Sequence, residues 1–268
     1  MSLIQAIVLG AVQGVTEFIP ISSSGHLVVV PELFGWPEPG LSFDVMLHVA
    51  SLLALIVYFS GDLLDLGRGL RARDPEAKKL LVLLAIGTVP AALAGVLLGD
   101  YFEGTFTDAK AAALQLLITA AILVGAELAL AYHERRRAEV GGRARASTDL
   151  GPVDAGAMGV AQAIAIFPGI SRSGATIGAG LALGVARDAA ARFGFLLAVP
   201  ALFGAALVQL PDLGGSPLGL GAGTAGFISS LVTSYAAIAA LIRYLRANTL
   251  YPFAIYCVIA GVLFYIAL

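Results

Sequence analysis

The chain has 268 residues, of which 59% are hydrophobic and 13% charged, with a mean hydropathy of +0.90. A soluble domain carries about 25% charged residues, so lipid rather than water is the main solvent expected here. A net charge of -2 excludes a nucleic-acid surface, which needs a basic excess, and the single cysteine, Cys257, excludes an intramolecular disulfide.

Met1 to Gln5 has no basic region ahead of the apolar stretch, so insertion is expected through the helices themselves rather than through a removed leader. The first apolar stretch, roughly 3–35, is interrupted near its middle by Phe18-Ile19-Pro20-Ile21-Ser22-Ser23-Ser24-Gly25. Segments 43–60, 78–98 and 109–132 then each offer or approach the about 20 apolar residues of a spanning helix. A basic, polar stretch from His133 to Asp149 is the one candidate seam. Beyond it, the apolar stretch 151–184 is interrupted by Phe167-Pro168-Gly169-Ile170-Ser171-Arg172-Ser173-Gly174, and further spans are expected at 188–210, 221–245 and 250–268.

Neither half of an interrupted stretch is long enough to cross comfortably. Non-helical backbone at membrane depth is tolerated only where protein or a wet cavity satisfies its polar groups. Both stretches are therefore read as re-entrant helix-loop-helix hairpins, with a kinked spanning helix as the alternative. They align without a gap at an offset of 149 residues: Gln13 with Gln162, Phe18 with Phe167, Ile21 with Ile170, Ser22 with Ser171, Ser24 with Ser173 and Gly25 with Gly174. This predicts an internal duplication within one polytopic domain, 1–268: repeat 1 at about 1–132, a basic cytoplasmic linker at about 133–150, and repeat 2 at about 151–268.

Lys and Arg gather in short cytoplasmic loops. Arg68, Arg71, Arg73, Lys78 and Lys79, then Arg135 to Arg145, Arg187 with Arg192, and Arg243 with Arg246 all mark loops as inside. Asp100 to Asp108 and Pro211 to Leu220 hold acids and no Arg or Lys, which places them outside. On this alternation the first hairpin enters from the outside and the second from the inside. The expected fold class is an all-α integral membrane protein with about six transmembrane helices and two re-entrant hairpins in an inverted-topology repeat. Inverted repeats with broken helices are common in secondary transporters, so a polyprenyl-phosphate transporter or flippase stands as an alternative function.

Ionisable groups inside a membrane are costly and mark function by default. Glu17, His26 and Arg172 all fall at the two breaks. Glu17 follows Gln13 by four residues, so both share one helix face and suit a cation or one substrate group. The second break reads as a turn into a helix N-terminus, where free N–H groups and the dipole favour an anion. There the hydroxyls of Ser171 and Ser173 and the fork of Arg172 would form a phosphate cradle, although a serine at such a place also serves simply as a cap. At the first break Ser22, Ser23 and Ser24 stand next to the imidazole of His26, the minimum kit for nucleophilic attack.

The set Gln13-x-x-x-Glu17, Pro20-x-Ser22-Ser23-Ser24-Gly25-His26 and Pro168-Gly169-Ile170-Ser171-Arg172-Ser173-Gly174-Ala175-Thr176 resembles the undecaprenyl-diphosphate phosphatase family, also called bacitracin-resistance proteins, over essentially the whole chain. The resemblance implies a bacterial inner-membrane enzyme. It would remove the terminal phosphate of a C55 polyprenyl diphosphate, regenerating the carrier for peptidoglycan synthesis at a site open to the periplasmic face. It also implies a divalent cation, Mg²⁺ or Ca²⁺, on Glu17 and Gln13. Gln13 is the less acidic of the family's choices at its position, which weakens any scheme with two carboxylates on the metal. Glu17, His26, Ser23 and Arg172 are the expected catalytic residues; Ser22, Ser24, Gly25, Gly169, Ser171, Ser173, Gly174 and Thr176 are expected to bind substrate. Either Ser23 or a neighbouring serine attacks with His26 as base, or His26 or an activated water attacks directly. The type-2 phosphatidic acid phosphatases also use a Ser-Gly-His element, but Ser171-Arg172 lacks their following histidine, since Gly178 stands there. Lipid and a polyprenyl diphosphate are the expected partners, and Gly178-Ala179-Gly180 and Gly221-Ala222-Gly223 permit close helix packing within the protomer or in a homodimer.

Overall fold

The computed structural model describes residues 1–103, 108–209 and 219–268. In chain order the helices are α1 (Leu3–Phe18), α2 (Ser23–Leu33), α3 (Leu41–Tyr58), α4 (Ser60–Arg71), α5 (Pro75–Glu103), α6 (Ala109–Val140), α7 (Pro152–Ile164), α8 (Arg172–Ala182), α9 (Arg187–Val208), α10 (Leu220–Leu245) and α11 (Tyr251–Ala267). Among the described residues there is no strand, only an isolated bridge between Arg145 and Val185.

The chain is a multi-pass membrane protein. Five helices, α3, α5 (through Leu97), α6, α9 and α10, are long and apolar enough to cross a membrane. The sixth expected span is α11, whose 17 residues rise about 26 Å against a hydrocarbon core of about 30 Å, which leaves it short of the other five. Two polar stretches are more helical than expected. The basic segment after the first span folds as α4, with Asp62 in its first turn and Arg68 and Arg71 in its last, the charge order that opposes the helix dipole. The first part of the linker continues α6 to Val140, where Gly141 closes it at φ 69. The acidic loops expected outside, Asp100 to Asp108 and Pro211 to Leu220, lie mostly outside the described residues.

Both interrupted stretches fold as helix, break, helix. A capping box starts α1: the Gln5 N–H donates to Ser2 Oγ at 3.2 Å, and the Ser2 N–H to Gln5 Oε1 at 2.7 Å. It stops at Ile19, which is extended at ψ 133 ahead of Pro20, because a proline disfavours the helical region in the residue before it. α1 and α7 begin 149 residues apart, as do α2 and α8.

The two halves of the chain are interleaved. α1 lies along α10, α7 along α5, and α6 along α11. α1 approaches α10 closely at Gly14, where a Cβ would stand 2.5 Å from the Ser230 carbonyl oxygen. Small residues at such crossings let dispersion act between helices where lipid removes the hydrophobic drive. Phe18, Phe59 and Phe195 form an edge-to-face stack in the core, with centroids at 5.5 Å and 6.2 Å. The residue before Phe18 is Glu17, so this stack floors the polar site.

Polar ties fix the helix ends and crossings. Ser51 of α3 joins Ser230 and Ser234 of α10 at 3.2 Å and 2.9 Å, all three fully buried. Buried Glu127 of α6 accepts from Arg187 at the start of α9 and, at 2.7 Å, from the Leu250 N–H just before α11. Arg145 in the linker binds both oxygens of Asp154 in α7, at 3.0 Å and 2.6 Å. A buried charge left without such partners costs several kcal/mol, roughly 3–5, so these pairs also fix the helix register.

Candidate active site

The two breaks meet. A Cβ on Gly25 would come within 3.2 Å of Gly169 Cα, and the Gly169 N–H donates to Ser24 Oγ at 3.4 Å. Gly169 has φ 93 and lies against the backbone of Ala112, so both the turn and the approach of α6 require a residue without a side chain.

Each break ends in an N-capping serine. Ser22 Oγ accepts from the Gly25 N–H at 3.3 Å, and Ser171 Oγ from the Gly174 N–H at 3.1 Å. Each cap also meets the hydroxyl two residues on, Ser22 with Ser24 at 3.3 Å and Ser171 with Ser173 at 3.1 Å. The first helical residues are then Ser23 in α2 and Arg172 in α8, which occupy equivalent places after the two breaks. Both reach the same carboxylate. Ser23 Oγ donates to Glu17 Oε2 at 2.5 Å, and the Arg172 guanidinium pairs with Glu17 Oε1. Gln13 Nε2 adds a third donor at 3.1 Å.

The Glu17 side chain is 2% exposed, and that of Arg172 is 23% exposed. A carboxylate this deep is sustained by its partners, because an unpaired charge there costs more than any one hydrogen bond returns. A narrow cleft opens beside the pair, lined by Glu17, Arg172, Ser173 and Thr176 on its polar side and by Phe18, Gly194, Phe195 and Ala198 on the other. The Thr176 hydroxyl donates to the Arg172 carbonyl at 2.9 Å, so it also braces the first turn of α8.

His26 faces elsewhere. Its Nδ1 meets the Ser22 carbonyl oxygen at 2.6 Å and its Nε2 the Tyr256 hydroxyl at 2.7 Å. The structure thus pairs Ser23 with Glu17, while both ring nitrogens of His26 are engaged with other groups.

Two residues outside the sequence motifs belong to the site. His48 of α3 holds its Nδ1 2.8 Å from the Asp44 carbonyl oxygen and its Nε2 3.8 Å from Glu17 Oε2. Thr119 of α6 spans the second break, donating to the Gly169 carbonyl at 2.9 Å and accepting from the Ser171 N–H at 3.0 Å. Both are polar residues inside apolar spans, and that was the available signal. Spacing within the two breaks held no trace of either.

Oxygen donors suited to a hard cation are present beside the pair. Gln13 Oε1 is buried without a hydrogen-bond partner, and Glu17 lies one turn on. Among the described residues no three His, Cys, Asp or Glu groups converge as a metal cluster. The residues therefore fit a cation that keeps most of its ligands from water and phosphate, not one caged by protein.

The family model described as bacitracin resistance protein BacA matches residues 6–263. Among curated relatives, the undecaprenyl-diphosphatase of Methanosphaera stadtmanae is 39% identical over 98% of this chain and 97% of its own. That of Thermomicrobium roseum is 41% identical over 97% and 96%. That of Pelobacter propionicus is 42% identical over 97% and 95%.

Proposed function

The chain belongs to the bacitracin resistance protein BacA family, and from that premise we propose that the paired breaks hydrolyse undecaprenyl diphosphate to undecaprenyl phosphate and inorganic phosphate. The relatives named above are all undecaprenyl-diphosphatases, so the enzyme is a phosphoanhydride hydrolase that recycles the lipid carrier for cell-wall synthesis. The transporter alternative finds no support among them.

One observation carries the assignment of the site: Ser23 and Arg172, from opposite hairpins, converge on the buried carboxylate of Glu17. Phosphoryl transfer is catalysed mainly by positioning and charge neutralisation. Arg172 and the first-turn N–H groups of α8, with Ser171, Ser173 and Thr176 around them, hold the terminal phosphate. Ser23 Oγ attacks its phosphorus in line with the bridging oxygen, and Glu17 takes the hydroxyl proton across their 2.5 Å contact. The P–O bond to the bridging oxygen breaks and undecaprenyl phosphate departs. Glu17 passes its proton to the departing phosphate oxygen; water then attacks the phosphoserine, giving one proton to Glu17, which returns it to Ser23 Oγ as the Ser–O–P bond breaks and inorganic phosphate is released. A divalent cation, Mg²⁺ or Ca²⁺, held by Gln13 Oε1 and Glu17, would supply further neutralisation of the phosphate charge. Ser22, Ser24, Gly25, Gly169 and Gly174 shape the close contact between the two breaks. His26 supports the first of them.

The same proposal places the chain in the bacterial cytoplasmic membrane, with both breaks re-entrant from opposite faces and the cleft open to the outside. The distribution of Arg and Lys supports that orientation. It extends to a homodimer, supported by Gly221, where an added Cβ would meet nothing within 4 Å among the described residues. Gly178 and Gly180 are occupied internally, by Ile122 and Ala190.

The test is release of inorganic phosphate from undecaprenyl diphosphate by the protein purified in detergent. Arg172→Ala and Glu17→Ala should abolish it while the protein stays folded and membrane-inserted, and His26→Ala should do so by disordering the first break. A fully active, folded Arg172→Ala protein would sink the assignment.

A further inference from the structure

Tyr256 stands on α11, far in sequence from both breaks and outside every motif, yet its hydroxyl lies 2.7 Å from His26 Nε2. The two rings are nearly parallel, at 15°, and the edge of the arrangement is closed by Phe264, whose ring stands at 83° to the imidazole. Nδ1 of His26 faces the Ser22 carbonyl at 2.6 Å. A carbonyl oxygen only accepts, so Nδ1 carries a hydrogen. In the neutral imidazole Nε2 is then the acceptor, and the Tyr256 hydroxyl donates to it.

The anchored imidazole acts on a strained residue. Ser22 has φ 69, one of only two described residues other than glycine with positive φ, and such a conformation persists only where its surroundings hold it. Two donors of His26 converge on the Ser22 carbonyl, Nδ1–H at 2.6 Å and the backbone N–H at 3.4 Å. The residue after Ser22 is Ser23, whose direction toward Glu17 depends on that turn. The same helix grips the break a second time, where Cys257 Sγ approaches the Pro20 carbonyl at 3.8 Å.

We propose that Tyr256 is a positioning residue for the phosphatase reaction, fixing the tautomer and direction of His26, which holds the Ser22 turn so that Ser23 meets Glu17. This rests on the reading of Ser23 and Glu17 as the reacting pair. His26 then serves the reaction through the backbone it holds, with Tyr256 as the donor that keeps its ring from turning.

Tyr256→Phe removes a single oxygen from a ring that is 40% exposed, so the fold is spared. The full chain, in detergent or nanodiscs, is compared with this variant by kinetics on undecaprenyl diphosphate and by nitrogen NMR of protein labelled at its three histidines, with His26 assigned through His26→Gln. The expected result is a kcat lower by about tenfold to a hundredfold with KM within about twofold, and a His26 signal that leaves its single Nδ1–H tautomer. Tyr265→Phe, on the same helix, should leave kcat unchanged. An unchanged kcat in Tyr256→Phe overturns the proposal, as does a lost kcat with the His26 signal intact. Should the wild-type protein release no phosphate, the reading of function fails by itself, and the nitrogen signals still report whether Tyr256 sets His26.

Discussion

The two breaks share a backbone plan and differ in chemistry. Both end in a capping serine with a second serine two residues on, and both open a helix at the same relative position. The first is short, from Ile19 to Ser22, with its strain on a serine; the second runs from Ala165 to Ser171 and puts its positive φ on Gly169. The first carries Glu17, Ser23 and His26 where the second has Ile166, Arg172 and Ala175. Capping is common to both breaks because every helix start needs its N–H groups satisfied. These differences include the two positions whose side chains join across the interface, Glu17 and Arg172. One backbone shape occurs at both breaks, and the site draws different side chains from each.

The largest effects should come from the shared carboxylate. Glu17→Gln should lower kcat on the order of 10²–10⁴-fold, and Ser23→Ala at least as much, each read as phosphate release. Arg172→Ala should abolish release as well, a loss of at least roughly 10²–10³-fold. Arg172→Lys should recover only part of this, because a point charge cannot replace a fork that meets both Glu17 and phosphate. If Arg172→Lys matched the wild type, the second break would need only a charge, and its distinction from the first would shrink to electrostatics.

The cap serines should respond less. Ser171→Ala should destabilise α8 by about 1 kcal/mol, seen as a lower melting temperature, with a smaller fall in kcat than Ser23→Ala gives. Equal losses from Ser23→Ala and Ser171→Ala would erase the division between reacting and supporting hydroxyls. Gln13→Glu tests the cation. A second carboxylate one turn before Glu17 should lower the concentration of Mg²⁺ or Ca²⁺ needed for half-maximal activity, and titration back from chelator measures it. The smallest expected effect on turnover is at Thr119. Thr119→Val strips partners from the Gly169 carbonyl and the Ser171 N–H, at about 1–3 kcal/mol of stability, which thermal unfolding in detergent would report.

Much of the site was legible because membrane depth makes polarity expensive. Glu17, Ser23 and Arg172 stood out as polar groups in apolar stretches, and the structure brings them into direct contact. The pairing of His26 with Ser23 was the natural reading of adjacent residues, but a helical turn carried the imidazole away to Tyr256, 230 positions along the chain. His48 and Thr119 sit in apolar spans away from both breaks, where a polar residue is equally explained by a bond to its own helix, as Thr88 makes to Leu84.

By itself the sequence determined that the chain is helical, that it lives in lipid, and that it breaks twice at equivalent points, because composition and hydropathy act along the chain. It also marked Glu17 and Arg172 as neighbours in function. Only the tertiary structure decided that they are neighbours in space, that α1 packs on α10 and α7 on α5, and that α11 and α6 each brace one break. Those outcomes depend on contacts between residues far apart in the chain, set by which small residues let two helices approach and which buried donors find an acceptor. No local pattern encodes them.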